Sequence, residues 1–259
     1  MVRRDPDRDA AAVAVAGGGT IVGIILLPFL PAMPWSAAPY ALASSSIHIL
    51  YYALVARAYR HGELSVVYPV MRGLAPLIVS VATALFVEPA NLTVFAGIVV
   101  LGAGIVALGA DGLRRGAAGI VAAVGNAVVI ASYTLVDGLG ARASGGSPEA
   151  YTAWLLIGGG LATVGLRTAW SRGAVLPRLR SHIPLGLAGG VMSYGAYGIA
   201  LWAMTIAPIG AVAAVRESSV LIATALGAIV LHERFGLWRW IAAGLVLAGL
   251  ALVKLAGSG

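Results

Sequence analysis

Nine apolar stretches follow one another along this chain with little between them: 12–30, 36–56, 65–87, 92–110, 117–136, 150–166, 183–205, 208–231 and 237–257. A helix needs about 20 apolar residues to cross the hydrocarbon of a bilayer, and each stretch is close to that length. With no water in the hydrocarbon, backbone N–H and C=O groups must be satisfied internally, which favours helices. The expected fold is therefore an all-α integral membrane protein with nine transmembrane helices, short connections and antiparallel neighbours. Composition agrees. Only 10% of residues are charged and mean hydropathy is +0.94, against roughly a quarter charged in a soluble domain. Thirty-five glycines suit helices whose backbones approach closely in lipid.

The first stretch follows Arg3, Arg4 and Arg8, as a signal peptide would, but Asp5, Asp7 and Asp9 and the absence of a small-residue cleavage site point to a retained helix. The net charge of +7 is almost wholly arginine, with Lys254 as the only lysine. In a soluble chain that charge would point to nucleic acid; here it belongs to loops on one side of a membrane. One face receives Arg3, Arg4, Arg8, Arg57, Arg60, Arg114, Arg115, Arg167, Arg172, Arg178, Arg180, Arg234 and Arg239. The other receives Arg142 and Lys254. By the positive-inside rule the N-terminus lies in the cytoplasm and the C-terminus outside, in a cell membrane.

Several function classes drop out. There is no cysteine, so disulfides, thiolate metal sites and thiol nucleophiles are excluded. Gly102-Ala103-Gly104 lies in an apolar stretch with no preceding strand and is not a nucleotide loop. Asn91-Leu92-Thr93 is a sequon without a secretory context. No metal cluster, nucleophile triad or paired catalytic carboxylates are visible, so no enzyme activity, metal or cofactor is expected. Gly186 and Gly190 form a GxxxG that in a crowded bundle packs internal helices; a homodimer through it is the alternative.

The sequence partly repeats itself. Arg72 falls on Arg216 at a shift of 144; Tyr52 falls on Tyr197 and Glu88 on Glu233 at 145. Spans one to four then correspond to spans six to nine. Each span maps five onward, and five is odd, so the copies are inverted relative to each other, an arrangement common in secondary transporters. The fifth span has no mate. The expected organisation is a first repeat over 1–110, lacking its first helix, and a second over 117–257, a five-plus-five architecture from which one helix is absent through truncation or a misplaced start.

Four features in order carry a family resemblance: Tyr68-Pro69-Val70-Met71-Arg72-Gly73-Leu74-Ala75-Pro76; Ser132-Tyr133-Thr134-Leu135-Val136-Asp137-Gly138; Val215-Arg216-Glu217-Ser218-Ser219-Val220; and the endings at Glu88 and His232-Glu233-Arg234. Together they resemble the drug/metabolite transporter superfamily in its EamA-like branch. The resemblance implies ten helices in two inverted halves around a cavity of alternating access. The chain departs from it in having nine spans and, by its arginines, an external C-terminus.

Candidate residues for a substrate or ion pathway are those that hydrocarbon tolerates least. Arg72 lies about seven residues into the third span, roughly 10 Å at 1.5 Å per residue. Arg216 lies a similar way into the eighth from the opposite face, against a hydrocarbon half-thickness of about 15 Å. Snorkelling to the headgroups is the bland alternative. Glu217 points about 100° away from Arg216, so an interhelical ion pair among Arg72, Arg216 and Glu217 is expected, either static or shared with a solute. Ser44, His48 and Tyr52 form one stripe of the second span, with His48 a candidate proton carrier. Tyr68, Asn126, Tyr133, Tyr194 and Tyr197 complete the set, lining a pocket or hydrogen-bonding neighbouring helices. Pro69 and Pro76 are expected to bend or open the third span. Tyr40, Trp35, Trp154, Trp170, Trp238 and Trp240 read as interfacial belts, and Glu88 and Glu233 as helix-end charges.

The reading that follows is a secondary transporter of a small metabolite or drug-like solute, with the lipid bilayer and that solute as partners and no nucleic acid. Its site lies between spans two, three, five, seven and eight. Arg72 and Arg216 against Glu217 favour an anionic or zwitterionic solute. The alternative is a non-transporting membrane scaffold or assembly subunit. A reporter fused to the C-terminus and active only in the cytoplasm is expected to stay silent; strong activity would reverse the orientation.

Overall fold

The computed structural model describes residues 6–61, 64–87, 91–108, 119–217, 219 and 237–257. Among these there is no strand. Nine longer helices are α1 (Pro6–Leu26), α2 (Ala38–His61), α3 (Leu64–Phe86), α4 (Leu92–Leu108), α5 (Ile120–Ala143), α6 (Pro148–Trp170), α7 (Ile183–Ile206), α8 (Ile209–Glu217) and α9 (Leu237–Gly257). A one-turn helix, Leu176–Leu179, and three 3-10 turns fill the connections. Each apolar stretch overlies one of these helices. Glu88, Glu233 and most of the eighth stretch beyond Glu217 lie outside the described residues.

Three described segments are long and apolar enough to cross a membrane on those grounds alone: Ala10–Phe29, Val67–Phe86 and Ile120–Ala143. Leu92–Ala107 and Trp240–Leu255 are apolar but shorter. α2 is diluted by Ser44, Ser45, Ser46, His48, Tyr51 and Tyr52. α3 runs as one α-helix through both Pro69 and Pro76, so neither of them interrupts it. Each removes a single i→i−4 hydrogen bond, and packing against α4 and α8 holds the segment helical.

The helices gather into two compact units, with the division falling inside α2 and α5. The first comprises Met1–Ile49 and Val136–Ile206. There α1 packs on α6 and α7, and α6 on α7. Between α1 and α7 the backbones themselves come into contact. A side chain on Gly18 would collide with the carbonyl of Gly186, and one on Gly190 with the backbone of Gly18 and Gly19. The GxxxG pair of α7 is therefore used inside the unit. At the turn from α5 to α6, Gly145 and Gly146 take φ of +64° and +89°, where L side chains are strained. Nearby, Arg142 Nε donates to the Met204 carbonyl at 2.8 Å and Ser36 Oγ to that of Ala143 at 3.1 Å.

The second unit comprises Leu50–Leu135 and Ala207–Gly259. α4 packs on α9 and α3, and α8 on α3 and α4. Ile98, Leu101, Ile105, Ala214, Val246 and Val253 form its buried core. The α4–α9 contact uses one face of each helix. Gly97 meets Gly249, Leu101 lies against Gly249, and Gly104 meets Ala242 and Val246. The positions Ala242, Val246 and Gly249 follow Gly97, Leu101 and Gly104 by 145 residues each.

α9 carries its own control for this packing. A Cβ on Gly249 would stand 2.5 Å from Leu101 N, whereas one on Gly244 meets nothing. Gly249→Ala is expected to destabilise the protein by about 1–3 kcal/mol through overpacking. Gly244→Ala is expected to be neutral or to stabilise by up to about 1 kcal/mol. Unfolding of the purified variants in mixed micelles measures both; equal effects would show that the contact does not hold the helices.

Candidate functional site

The candidate residues divide into two sets, one in each unit. In the second unit, Arg72 on α3 and Glu217 at the end of α8 form an interhelical ion pair, Nε to Oε2 at 2.6 Å. The N–H does not point squarely at that oxygen, so the contact is one of charge rather than of a well-aligned hydrogen bond. Arg216 Nε lies 3.7 Å from Glu217 Oε1, and Arg216 also reaches that carboxylate as a hydrogen-bond donor. Adjacent helix residues diverge by about 100°, and the closer partner is accordingly the one on another helix. The Glu217 side chain is 2% exposed, against 23% for Arg72 and 20% for Arg216.

Neighbouring groups shape this pair. Tyr68 lies one turn before Arg72, whose guanidinium carbon is 5.9 Å from the ring centroid, within reach of a cation–π contact. Pro76 has no N–H to offer the Arg72 carbonyl four residues earlier. Asn126 is fully buried on α5, its Nδ2 2.9 Å from the Met71 sulfur. Its Oδ1 has no hydrogen-bond partner among the described residues. Tyr133 is buried and meets Tyr51 edge-on at 5.8 Å between centroids, and Tyr51 meets Tyr52 at 5.2 Å. Tyr52 itself is 44% exposed.

The first unit holds a cluster that the sequence reading quoted only within a motif. Asp137 on α5 is fully buried. It accepts hydrogen bonds from the hydroxyls of Tyr197 on α7 and, at 3.3 Å, Tyr151 on α6. Ser44 on α2 lies within hydrogen-bond reach of it, and the His48 imidazole is close enough to act on its charge. His48 Nδ1 lies 2.8 Å from the Ser44 carbonyl and 3.4 Å from Ser44 Oγ. Tyr194 stands apart, donating to the Glu149 carbonyl at 3.2 Å. Of the sequence candidates, this unit thus brings His48 and Tyr197 together around a carboxylate that was overlooked. A lone acidic residue deep in an apolar helix was the signal that could have found it.

In the same unit, Ser45 and Gly158 help to line a mostly apolar open groove of about 680 Å³, walled by Trp35, Leu42, Trp154 and Leu161. Its size is within the range of small-molecule sites. Among the described residues no group of three or more His, Asp or Glu could hold a metal.

A double-mutant cycle separates the two ion contacts of the second unit. Arg72→Ala and Glu217→Ala are expected to couple by about 1–3 kcal/mol in unfolding experiments. The pair Arg216→Ala and Glu217→Ala is expected to couple clearly less. Equal coupling would place Arg216 on level terms with Arg72.

The sequence pattern of the EamA-like transporter family matches residues 117–255, just over half of the chain. No curated protein matches the chain in sequence. Solved structures do resemble it. One, described only as "Crystal structure of protein", shares 19% identity over all of this chain and 91% of its own, with a TM-score of 0.64; at that identity the likeness is one of fold. The chain is a multi-pass membrane protein and belongs to the EamA-like transporter family, within the drug/metabolite transporters.

Proposed function

We propose that this protein is a secondary transporter that moves a small anionic or zwitterionic metabolite, or a drug-like solute of that charge, across the cytoplasmic membrane by alternating access. The observation that carries the reading is the convergence of Arg72 and Arg216 on one buried carboxylate, Glu217, inside an apolar unit. A buried ion pair is weak evidence of stabilisation, because desolvation offsets much of the attraction. Its retention in a membrane helix points to work on a charged ligand. An anionic group of the solute competes with Glu217 for Arg72, so that occupancy of the site changes the tie between α3 and α8.

Alternating access rests on two inverted repeats, 1–110 and 117–257. In support, the same face recurs 145 residues apart on α4 and α9, and the two faces pack against each other. A contact in which a surface meets its own counterpart is the expected signature of a two-fold relation. The chain runs from a cytoplasmic N-terminus to an external C-terminus, in keeping with its arginines. The residues we assign to transport are Arg72, Arg216, Glu217, Tyr68, Asn126, Tyr133 and Tyr52 in the second unit, and His48, Tyr194 and Tyr197 in the first. Energy comes from an ion gradient or from exchange, since the chain carries no nucleotide-binding motif.

Thermal unfolding across a panel of anionic and zwitterionic metabolites is expected to yield at least one stabilising solute, and reconstituted vesicles are expected to take it up. Arg72→Ala and Glu217→Gln are each expected to abolish uptake while leaving a folded, monodisperse protein. Wild-type uptake by either variant removes that residue from the mechanism. No stabilising solute, together with robust co-purification of a protein partner, would favour a scaffold instead.

A further inference from the structure

Asp137 takes no part in the ion pair on which the transport reading rests, yet it is the more enclosed carboxylate. Four helices of the first unit supply the cluster: Asp137 from α5, Ser44 and His48 from α2, Tyr151 from α6 and Tyr197 from α7. Asp137, Ser44 and Tyr151 are each completely buried. The groups that act on the carboxylate are three hydroxyls and one imidazole. Arg142, little more than a turn further along α5, donates instead to the Met204 carbonyl. Glu149 on α6 faces Tyr194, and Tyr40 on α2 faces Tyr151. α1 packs on α6 and α7, and its Thr20 hydroxyl is bonded to backbone carbonyls.

A carboxylate in such surroundings is tolerated when donors hold it or when a cation neutralises it. Three hydroxyl donors hold the anion without cancelling its charge. The cation small enough to join it without displacing a hydroxyl is the proton. His48 is half-buried, and its Nδ1 lies 2.8 Å from the carbonyl and 3.4 Å from the hydroxyl of Ser44, which is within hydrogen-bond reach of Asp137.

We propose that Asp137 is a proton-binding site, loaded and unloaded through Ser44 and His48. A proton from water joins His48 Nε2. The Nδ1 proton passes to Ser44 Oγ as the Ser44 hydroxyl proton moves to an Asp137 oxygen. Asp137 ends neutral, Ser44 remains a hydroxyl, and His48 is neutral with its proton on Nε2; unloading reverses each transfer. The ring turns slightly to shorten the 3.4 Å step from Nδ1 to Oγ. Tyr151 and Tyr197 are positioning residues that keep the carboxylate facing Ser44. Only the use of this proton as the coupling ion depends on the transporter reading; the binding site itself does not.

The test therefore uses the proton alone, with the full chain in detergent and no solute. Infrared spectra over a pH titration are expected to show a protonated-carboxyl band that appears reversibly and is lost in Asp137→Asn. After a pH jump, Ser44→Ala is expected to slow the growth of that band by about 10²-fold, the lower end of what a positioned proton carrier contributes, with an unchanged plateau. Ser44→Thr is expected to restore the rate. A band that persists in Asp137→Asn, or never appears in the wild type, would overturn the site; a wild-type rate in Ser44→Ala would overturn the relay. If Asp137→Asn does not fold, the Ser44→Ala rate decides. A solute screen that fails while this band behaves as expected would count against the transporter reading and leave the proton site standing.

Discussion

Two helices in lipid gain nothing by expelling water from between them, because the tails they displace are as apolar as leucine. What remains is contact, and contact is closest where side chains are smallest. Both units follow from that constraint. α1 meets α7 at Gly18, Gly186 and Gly190, and α4 meets α9 at Gly97, Gly104 and Gly249. The abundance of glycine in the sequence is thus a packing requirement. Larger residues such as Leu101, Ile105 and Val246 fill what the backbones leave.

Polar groups obey a second constraint, which fixes where chemistry can reside. Buried charge in such a bundle needs a partner, and each unit meets that need differently. In the second, Glu217 has a guanidinium at 2.6 Å from another helix. In the first, Asp137 is held by hydroxyls from three helices and faces one imidazole. The former resists removal of either member. The latter is held by groups that can each donate or accept.

Much of this was legible in the sequence, and the boundary has physical causes. Element type followed from runs of apolar residues. The pairing of Arg72 with Glu217 followed from the 100° between neighbours on a helix, and the internal use of Gly186 and Gly190 from crowding. Which helices gather together was not legible. Helices that are apolar all round carry no stripe to say which face is inward, because lipid and protein reward the same side chains. Asp137 was passed over because its partners Tyr151 and Tyr197 lie 14 and 60 residues away, beyond any helical spacing. Tyr52 fitted the stripe of α2 but ends exposed. The prolines of α3 promised a bend or an opening, and the helix runs through both of them.

The glycine contacts carry one more implication. A glycine has no rotamer to exchange, so an interface made of bare backbone has no stock of alternative packings. Where leucines meet, a small slide can be met by re-sorting side chains. Where the Gly18 backbone lies on that of Gly186, the same slide either preserves the fit or loses it altogether. Such a seam behaves as a joint between solids rather than as a lubricated surface. Within each unit, then, the glycine-joined helices are the parts that travel together, and flexing falls to the pairs joined by longer side chains.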